Sequence, residues 1–261
     1  MNSTEPIAAQ TPTIGAHQVN SAYDRRVAFP SELGNSTARQ LRDLSPALII
    51  PLGSTEQHGP HLPVDTDTRI ATAVASSVAE RLAGDWMVAP AIGYGASGEH
   101  QGFPGTVSIG TSALRLLLVE YGRSACDWAS RLVFVNGHGG NVEAVASATT
   151  LLRGEGRDVA WCACSVPDAD AHAGHTETSV LLHISPEAVR TGELVAGNES
   201  PLSELMPAMR NGGVAAVSPV GILGNPMTAS AAEGSRIFAE MSDSCTRRIA
   251  AWAPGRGGLL Q

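Results

Sequence analysis

Residues 47–67 read ALIIPLGSTEQHGPHLPVDTD, and this stretch joins a short apolar run to a loop rich in histidine and carboxylate side chains. Ala47–Pro51 is continuously apolar, which is typical of a strand that is buried on both faces of a sheet. Glycine and proline at positions 53, 59, 60 and 63 keep the segment that follows out of regular structure. The stretch therefore predicts a buried strand with polar side chains gathered at its carboxyl end.

Apolar periodicity alternates between strand and helix along the rest of the chain. Such alternation predicts a mostly parallel sheet with helices on both faces, a three-layer α/β/α fold. Residues 29–261 are predicted to form one such domain, and residues 1–28 a flexible polar tail. Further strands are predicted at Trp86–Ala91, Thr106–Ile109, Arg131–Val135 and Val159–Cys164, and helices at Thr68–Leu82, Leu114–Trp128, Val142–Leu152, Glu177–His183 and around Ile237–Ile249.

Polar side chains follow three of the predicted strands at the point where each strand ends. Because ligands bind beyond the carboxyl ends of parallel strands, we expect these side chains to meet at one edge of the sheet. Each alone is typical of a surface turn or of helix-dipole compensation, but the three sets together favour a metal site. No cysteine belongs to the set, so imidazole and oxygen ligands indicate Zn²⁺, Mn²⁺ or Fe²⁺. The residues are Glu56, His58, His61, Asp65 and Asp67 after the first strand, His138 within NGHGGN (136–141), and His172, His175 and Glu177 within HAGHTETS (172–179).

A fourth segment, GASGEHQGFPGT at 95–106, follows the predicted strand Trp86–Ala91. Its glycines suit a mobile substrate loop, from which Glu99 or His100 could face the site, but a structured turn with a solvated Glu–His pair fits equally. Asp65 is open in the same way, because it either orients a ligand histidine or makes a local turn hydrogen bond.

The composition removes whole classes of function. All 17 basic residues are arginines, so there is no lysine for a Schiff base or for a nucleotide-binding P-loop. A formal net charge of −8, scattered arginines and 4% aromatic residues argue against a nucleic-acid partner. The apolar runs are shorter than the roughly 18 residues of a membrane span, no leader or CxxC pair is seen, and we expect a cytoplasmic protein without a membrane partner.

Four motifs in this order resemble the creatininase family of metal-dependent amidohydrolases: GSTEQHGPHLPVDTD, EHQGFPGT, NGHGGN and HAGHTETS. The resemblance covers about residues 30–250. It implies an α/β/α fold, a homo-oligomer that is a hexamer in the family, and two divalent metal ions (Zn, Fe or Mn) at the carboxyl edge of the sheet. By resemblance, Glu56 and His138 would bind one ion, His58 the other, and Asp67 would bridge them.

The chain departs from the family at one ligand position. The family enzyme takes a further ligand from a glutamate two residues after the NGH histidine, where this chain has Gly140. We therefore assign Glu177 as the remaining ligand. His172 matches the histidine that transfers protons in the family, and His175 stands where many relatives have a glutamate, so its role is open.

The resemblance also implies a reaction. Two divalent ions would bring the pKa of a bridging water toward about 7, so that hydroxide attacks an amide carbonyl and His172 carries a proton to the leaving nitrogen. The motifs are most similar to those of members that cleave a modified peptide precursor, which implies release of its crosslinked C-terminal Val–Tyr unit. The alternatives are hydrolysis of a small cyclic amide or formamide, and a non-catalytic metal-containing scaffold of a maturation pathway.

Overall fold

The central feature of the fold is a parallel sheet. A computed structural model describes Met1 and residues 31–261, so the predicted tail at 1–28 lies, apart from Met1, outside the described residues. The strands are β1 (Ala47–Leu52), β2 (Trp86–Val88), β3 (Arg131–Asn136) and β4 (Val159–Ala163). Their order is β2–β1–β3–β4, and every pair is parallel. Every residue of the central strand β1 is buried, as its continuous apolar run predicts.

Helices cover both faces of this sheet. Ile49 packs with α2 (Thr66–Arg81), α5 (His175–Ile184) and α7 (Ala231–Ala251) on one face. Leu48 and Ile50 pack with α3 (Gly110–Ala125) and α4 (Val142–Gly154) on the other, because alternate strand residues point to opposite sides. The predicted three-layer α/β/α fold is confirmed. No helix within residues 31–261 combines the length and the apolar character needed to span a bilayer. The other two α-helices of the described residues are α1 (Ala38–Leu41) and α6 (Leu202–Gly212).

Two segments differ from their sequence prediction. The predicted strand Thr106–Ile109 is wrong, because this segment pairs with none of the four strands of the described sheet. Val107 N–H instead donates to the Thr55 carbonyl at 2.9 Å, and Ile109 N–H to the Gly95 carbonyl at 3.0 Å. The segment therefore ties together the loops that follow β1 and β2. The second difference is α6 (Leu202–Gly212), which lies between the predicted helices Glu177–His183 and Ile237–Ile249, where the sequence pattern predicts no helix.

The strand order creates a switch point between β1 and β3. The chain leaves β1 through α2 on one face, and it leaves β3 through α4 on the opposite face. The crevice between two such connections, at the carboxyl ends of the strands, is where open parallel sheets bind ligands. The predicted site residues come from the loops that border this crevice.

Candidate metal centre

The loop after β1 turns sharply into α2 and delivers three of the predicted site residues. Gly53 permits this turn, because a Cβ at that position would lie 2.5 Å from the Cα of Thr68. Glu56 and His58 project from the loop, and Asp67 projects from the first turn of α2. All three side chains are buried.

These residues and His138, which directly follows β3, form a compact group. His58 Nε2 lies 3.1 Å from Asp67 Oδ1, and His138 Nδ1 lies 3.4 Å from Asp67 Oδ2. His138 Nδ1 is also 3.2 Å from Glu56 Oε2. The two oxygens of Asp67 therefore face one histidine each. His58 Nδ1 is 3.1 Å from the backbone carbonyl of Glu56, which turns its Nε2 toward the group.

The two remaining predicted residues border this group. Glu177 Oε2 is 3.7 Å from His58 Nε2 and accepts the backbone N–H of Ala173 at 2.6 Å. His172 Nδ1 is 3.6 Å from Glu56 Oε1, and its ring centroid is 4.3 Å from that of His58. All six predicted catalytic and metal-ligating residues thus lie together at one edge of the sheet.

The 95–106 loop adds side chains whose roles the sequence leaves open. His100 Nε2 is 3.3 Å from Glu56 Oε1, and Glu99 Oε1 is 3.3 Å from His138 Nε2. Gln57, which the sequence analysis does not single out, reaches His100 Nδ1 with its amide nitrogen at 2.9 Å. The only sequence signal for Gln57 is its place between two predicted ligands in the motif EQH.

Three residues of the same motifs lie apart from the group. His61 is buried beside α5, His175 lies at the start of that helix, and Asp65 makes the local contact that the sequence allowed. The contacts are His61 Nε2 to Thr178 Oγ1 at 2.8 Å, His175 Nδ1 to Thr228 Oγ1 at 2.9 Å and Arg69 Nε to Asp65 Oδ1 at 2.8 Å.

The unpaired oxygens of this group fit a bound cation. Among the described residues, Glu56 Oε1 and Asp67 Oδ2 are buried without a hydrogen-bond partner, although histidine nitrogens lie 3.3 and 3.4 Å from them. Buried carboxylate oxygens are costly unless a donor or a metal ion satisfies them. Nitrogen and oxygen donors of this kind suit Zn²⁺, Mn²⁺ or Fe²⁺. Donor atoms that lie within 4.8 Å of one another occur in the sets Glu56–His58–Asp67, Glu56–His100–His172 and His58–His172–Glu177.

The pKa values show how the metal-free group balances its charge. Burial by itself would lower the pKa of His58, but Asp67, with the other carboxylates, raises it to about 10. Burial likewise opposes protonation of His138, and the surrounding carboxylates raise its pKa well above the usual range. Burial raises the pKa of Glu177 to about 7. A metal ion that binds the nitrogens of these histidines must displace any proton they hold.

The group borders a cavity of about 440 Å³, which is lined in part by His138, His172 and Glu177. One wall is formed by α6, through Leu202, Met206, Met209 and Arg210. A second cavity of about 650 Å³ adjoins it and shares the lining residues Ala171, Leu202 and Leu223. The sequence pattern does not predict this wall, because it indicates no helix there.

The sequence is similar to those of known proteins. Residues 32–249 match the family profile described as "Creatininase: Creatinine amidohydrolase". The mycofactocin precursor peptide peptidase of Mycolicibacterium smegmatis is 70% identical over 246 residues, which cover 93% of this chain and 100% of the relative. The protein of the same name from Mycobacterium tuberculosis (strain ATCC 25618 / H37Rv) is 63% identical over 250 residues, with the same shares covered. The creatinine amidohydrolase of Pseudomonas putida is 32% identical over 178 residues, 57% of this chain and 68% of the relative.

Solved structures share the fold. A mutant creatininase described as "Zn-Zn type" superposes with a TM-score of 0.71 at 26% identity, covering 87% of this chain and 99% of that one. The structure described as "Creatininase Mn" gives a TM-score of 0.70 at 25% identity, covering 87% and 100%. The resemblance noted in the sequence motifs is confirmed, and this chain belongs to the creatininase family of amide hydrolases.

Proposed function

We propose that this protein is a metallopeptidase that hydrolyses an amide bond of the mycofactocin precursor peptide, the substrate for which relatives that are 63% and 70% identical are named. In line with the motif resemblance, the proposed product is the crosslinked C-terminal Val–Tyr unit. The observation that carries the proposal is a buried cluster of histidines and carboxylates that borders a cavity and holds two carboxylate oxygens without a hydrogen-bond partner among the described residues.

We infer that two divalent ions bind to this cluster. Glu56 and His138 would hold one ion, His58 and Glu177 the other, and Asp67 would bridge them. The two oxygens of Asp67, one facing each histidine at 3.1 and 3.4 Å, support the bridging role. When bound, such ions supply Lewis acidity at the scissile carbonyl and lower the pKa of water toward about 7.

His172 is suited to move the proton. Its Nε2 lies 2.8 Å from the Gln57 carbonyl, so an N–H on Nε2 donates there and the Nδ1 lone pair faces Glu56. Burial, and then the neighbouring His58, lower the pKa of His172, which keeps the ring neutral and able to accept a proton. Nδ1 can thus take a proton at the site and deliver it to the leaving nitrogen.

The adjoining cavities support a peptide substrate over a small cyclic amide. The cavity above the cluster measures about 440 Å³ and the adjoining one about 650 Å³. The wall formed by Leu202, Met206 and Met209 offers apolar contacts for side chains on one side of the scissile bond.

We further propose that the protein assembles as a homo-oligomer, a hexamer as the family resemblance implies. Exposed apolar side chains on the α3–α4 layer support an association surface, with Leu116 59% and Val142 41% exposed. Light scattering in solution would give a mass six times the 26.9 kDa of one chain. A monomer mass would contradict the assembly.

The function is tested with the modified precursor peptide. Protein stripped by a chelator is reloaded separately with Zn²⁺, Mn²⁺ or Fe²⁺, and the products are identified by mass spectrometry. We expect two peptide fragments from the protein reloaded with its active ion, and none from the stripped protein. Intact peptide in all three reloaded samples would contradict the proposal, and turnover of creatinine or a formamide in its place would favour the small-amide alternative.

A pair of variants in one loop separates catalysis from a scaffold role. Glu56→Gln replaces the most enclosed carboxylate and should lower the rate of hydrolysis by at least about 100-fold. Even the loss of a residue that only hydrogen-bonds to a metal ligand lowers metal affinity or activity by about 10- to 100-fold. Asp65→Asn is the matched control, because among the described residues the Asp65 carboxylate pairs with Arg69 alone, at the surface. Equal hydrolysis by the two variants would contradict a catalytic metal site at Glu56.

A further inference from the structure

Glu99 fills the space that a side chain at position 140 would need. A Cβ built on Gly140 would lie 2.6 Å from Glu99 Oε1, 2.4 Å from His138 Nε2 and 2.3 Å from the carbonyl oxygen of Ala96. These separations are shorter than van der Waals contact. The absence of a side chain at Gly140 is therefore what lets the 95–100 segment bring its carboxylate and its carbonyl against His138.

Both ring nitrogens of His138 have acidic neighbours, on opposite edges of the ring. Nδ1 faces inward, 3.2 Å from Glu56 Oε2 and 3.4 Å from Asp67 Oδ2. Nε2 faces outward, 3.3 Å from Glu99 Oε1 and 3.3 Å from the Ala96 carbonyl. A backbone carbonyl can only accept a hydrogen bond, so the outer edge of the ring calls for a hydrogen on Nε2.

A neutral imidazole has one N–H and one lone pair. If the hydrogen is on Nε2, the lone pair is on Nδ1 and points at the carboxylates of the cluster. Histidines that bind metals commonly donate their other N–H to a carboxylate or a carbonyl, which fixes the tautomer and the ring orientation. Glu99 and Ala96 offer both kinds of acceptor at once.

We propose that Glu99 is a positioning residue that holds His138 as the Nε2–H tautomer and so presents the Nδ1 lone pair to a metal ion. This inference rests on the proposed function, in which His138 binds metal. Glu99 reaches the cluster only through the outer edge of that ring, and it belongs to none of the three close sets of donor atoms among the described residues. Its side chain is 31% exposed at the mouth of the cavity, whereas that of His138 is 6% exposed.

The test measures metal affinity and the spectrum of the bound metal. Glu99→Ala removes the acceptor, Glu99→Gln keeps a neutral acceptor of the same size, and Glu143→Gln is a matched control on the exposed first turn of α4. Zn²⁺ affinity is measured by competition with a chromophoric chelator, and the ligand-field absorption is recorded on the Co²⁺-loaded full-length protein.

We expect the Kd for Zn²⁺ to rise by about 10- to 100-fold in Glu99→Ala, with partial rescue in Glu99→Gln and no change in Glu143→Gln. The Co²⁺ bands should shift in Glu99→Ala, because a ligand imidazole changes its orientation. If the alanine variant does not fold, the glutamine variant decides the test, because its affinity for Zn²⁺ should be lower than that of the wild type. Wild-type affinity and spectrum in Glu99→Gln and in any folded Glu99→Ala would overturn the inference.

The two proposals can fail separately. If the affinity order holds but the wild type leaves the precursor peptide intact, Glu99 positions His138 and the proposed substrate is wrong. If the peptide is cleaved while the Glu99 variants bind Zn²⁺ as the wild type does, the proposed function stands and the positioning role is wrong.

Discussion

Gly140 occupies a crowded turn of the candidate site. In Gly140→Ala the new methyl group would overlap His138 Nε2 and the Ala96 carbonyl oxygen, so one of the two must move. We expect the free energy of unfolding to fall by about 1–3 kcal/mol, the usual cost of overpacking, and metal binding to weaken. Denaturant unfolding of the metal-free protein and a metal titration measure the two effects.

The neighbouring Gly139 supplies the control for that substitution. A Cβ at Gly139 would meet no atom within 4 Å. Gly139→Ala should therefore leave stability and metal affinity close to those of the wild type. Equal losses in the two variants would show that the crowding at Gly140 is not their cause.

His172 separates proton transfer from metal binding. We expect His172→Asn to lower kcat by about 10²- to 10⁴-fold, the usual worth of a general acid–base group, with the metal content unchanged. Product formation gives kcat, and elemental analysis gives the metal content. If the metal is lost together with activity, His172 is a ligand, as its place in the set His58–His172–Glu177 would allow.

At the scale of single residues, the sequence predicts the groups that directly follow a strand. Glu56 and His138 are found in this way because the carboxyl ends of β1 and β3 meet at one edge. Glu99 and His100 lie many residues beyond β2, and their approach depends on the path of a long loop. That path is set by contacts such as the bond from Val107 N–H to the Thr55 carbonyl, which no local pattern encodes.

Among the elements, α6 has the clearest effect on substrate binding. Met206 and Met209 of this helix line the cavity above the cluster. Replacing both with alanine should raise KM for the precursor peptide by about 10-fold or more, because a buried methionine contributes about 1.5–3 kcal/mol of apolar contact. The metal content should stay constant, and steady-state kinetics with the peptide measures the change.

Met227→Ala is the control of the same chemistry. Met227 is 58% exposed and belongs to neither cavity lining. Its replacement should leave KM unchanged. If the α6 variant has a lower kcat but an unchanged KM, the helix does not bind the peptide.

The elements that the sequence predicts well are those with an unbroken apolar pattern. One is β1. Another is the closing helix α7, in which four apolar residues at a spacing of four are buried in the core: Ile237, Met241, Cys245 and Ile249. Thr106–Ile109 alternates like a strand but finds its partners in loops. α6 contains Pro207 and ends at a glycine pair, features that are typical of a connection, yet its apolar side chains face the cavity.

At the scale of the whole molecule, the protonated cluster links stability to pH. The pKa of His58 is about 10 in the metal-free fold against an ordinary 6.5, so its stabilising contribution is complete below pH 6.5 and lost as the pH rises through about 10. The pKa of His138 is also raised, so its contribution to stability is lost with rising pH as well. Between pH 7 and 10 we expect the free energy of unfolding to fall by on the order of 1 kcal/mol per pH unit for each proton released.

The metal-loaded protein is the comparison for this prediction. Because bound metal would displace these protons, the free energy of unfolding of the metal-loaded protein should change less between pH 7 and 10. Denaturant unfolding at constant ionic strength measures both forms. If the free energy of unfolding changes with pH in the same way in both forms, the cluster holds no protons that metal displaces.

The candidate ligands come from segments that follow β1, β3 and β4, and this order has a consequence for the newly made chain. When Glu56, His58 and Asp67 leave the ribosome, His138 has not been synthesised, and Glu177 follows later still. No nascent chain that ends before α5 carries the full ligand set. We therefore expect the metal site to be completed only after α5 has been synthesised, and metal-starved cells to accumulate folded protein with a low metal content.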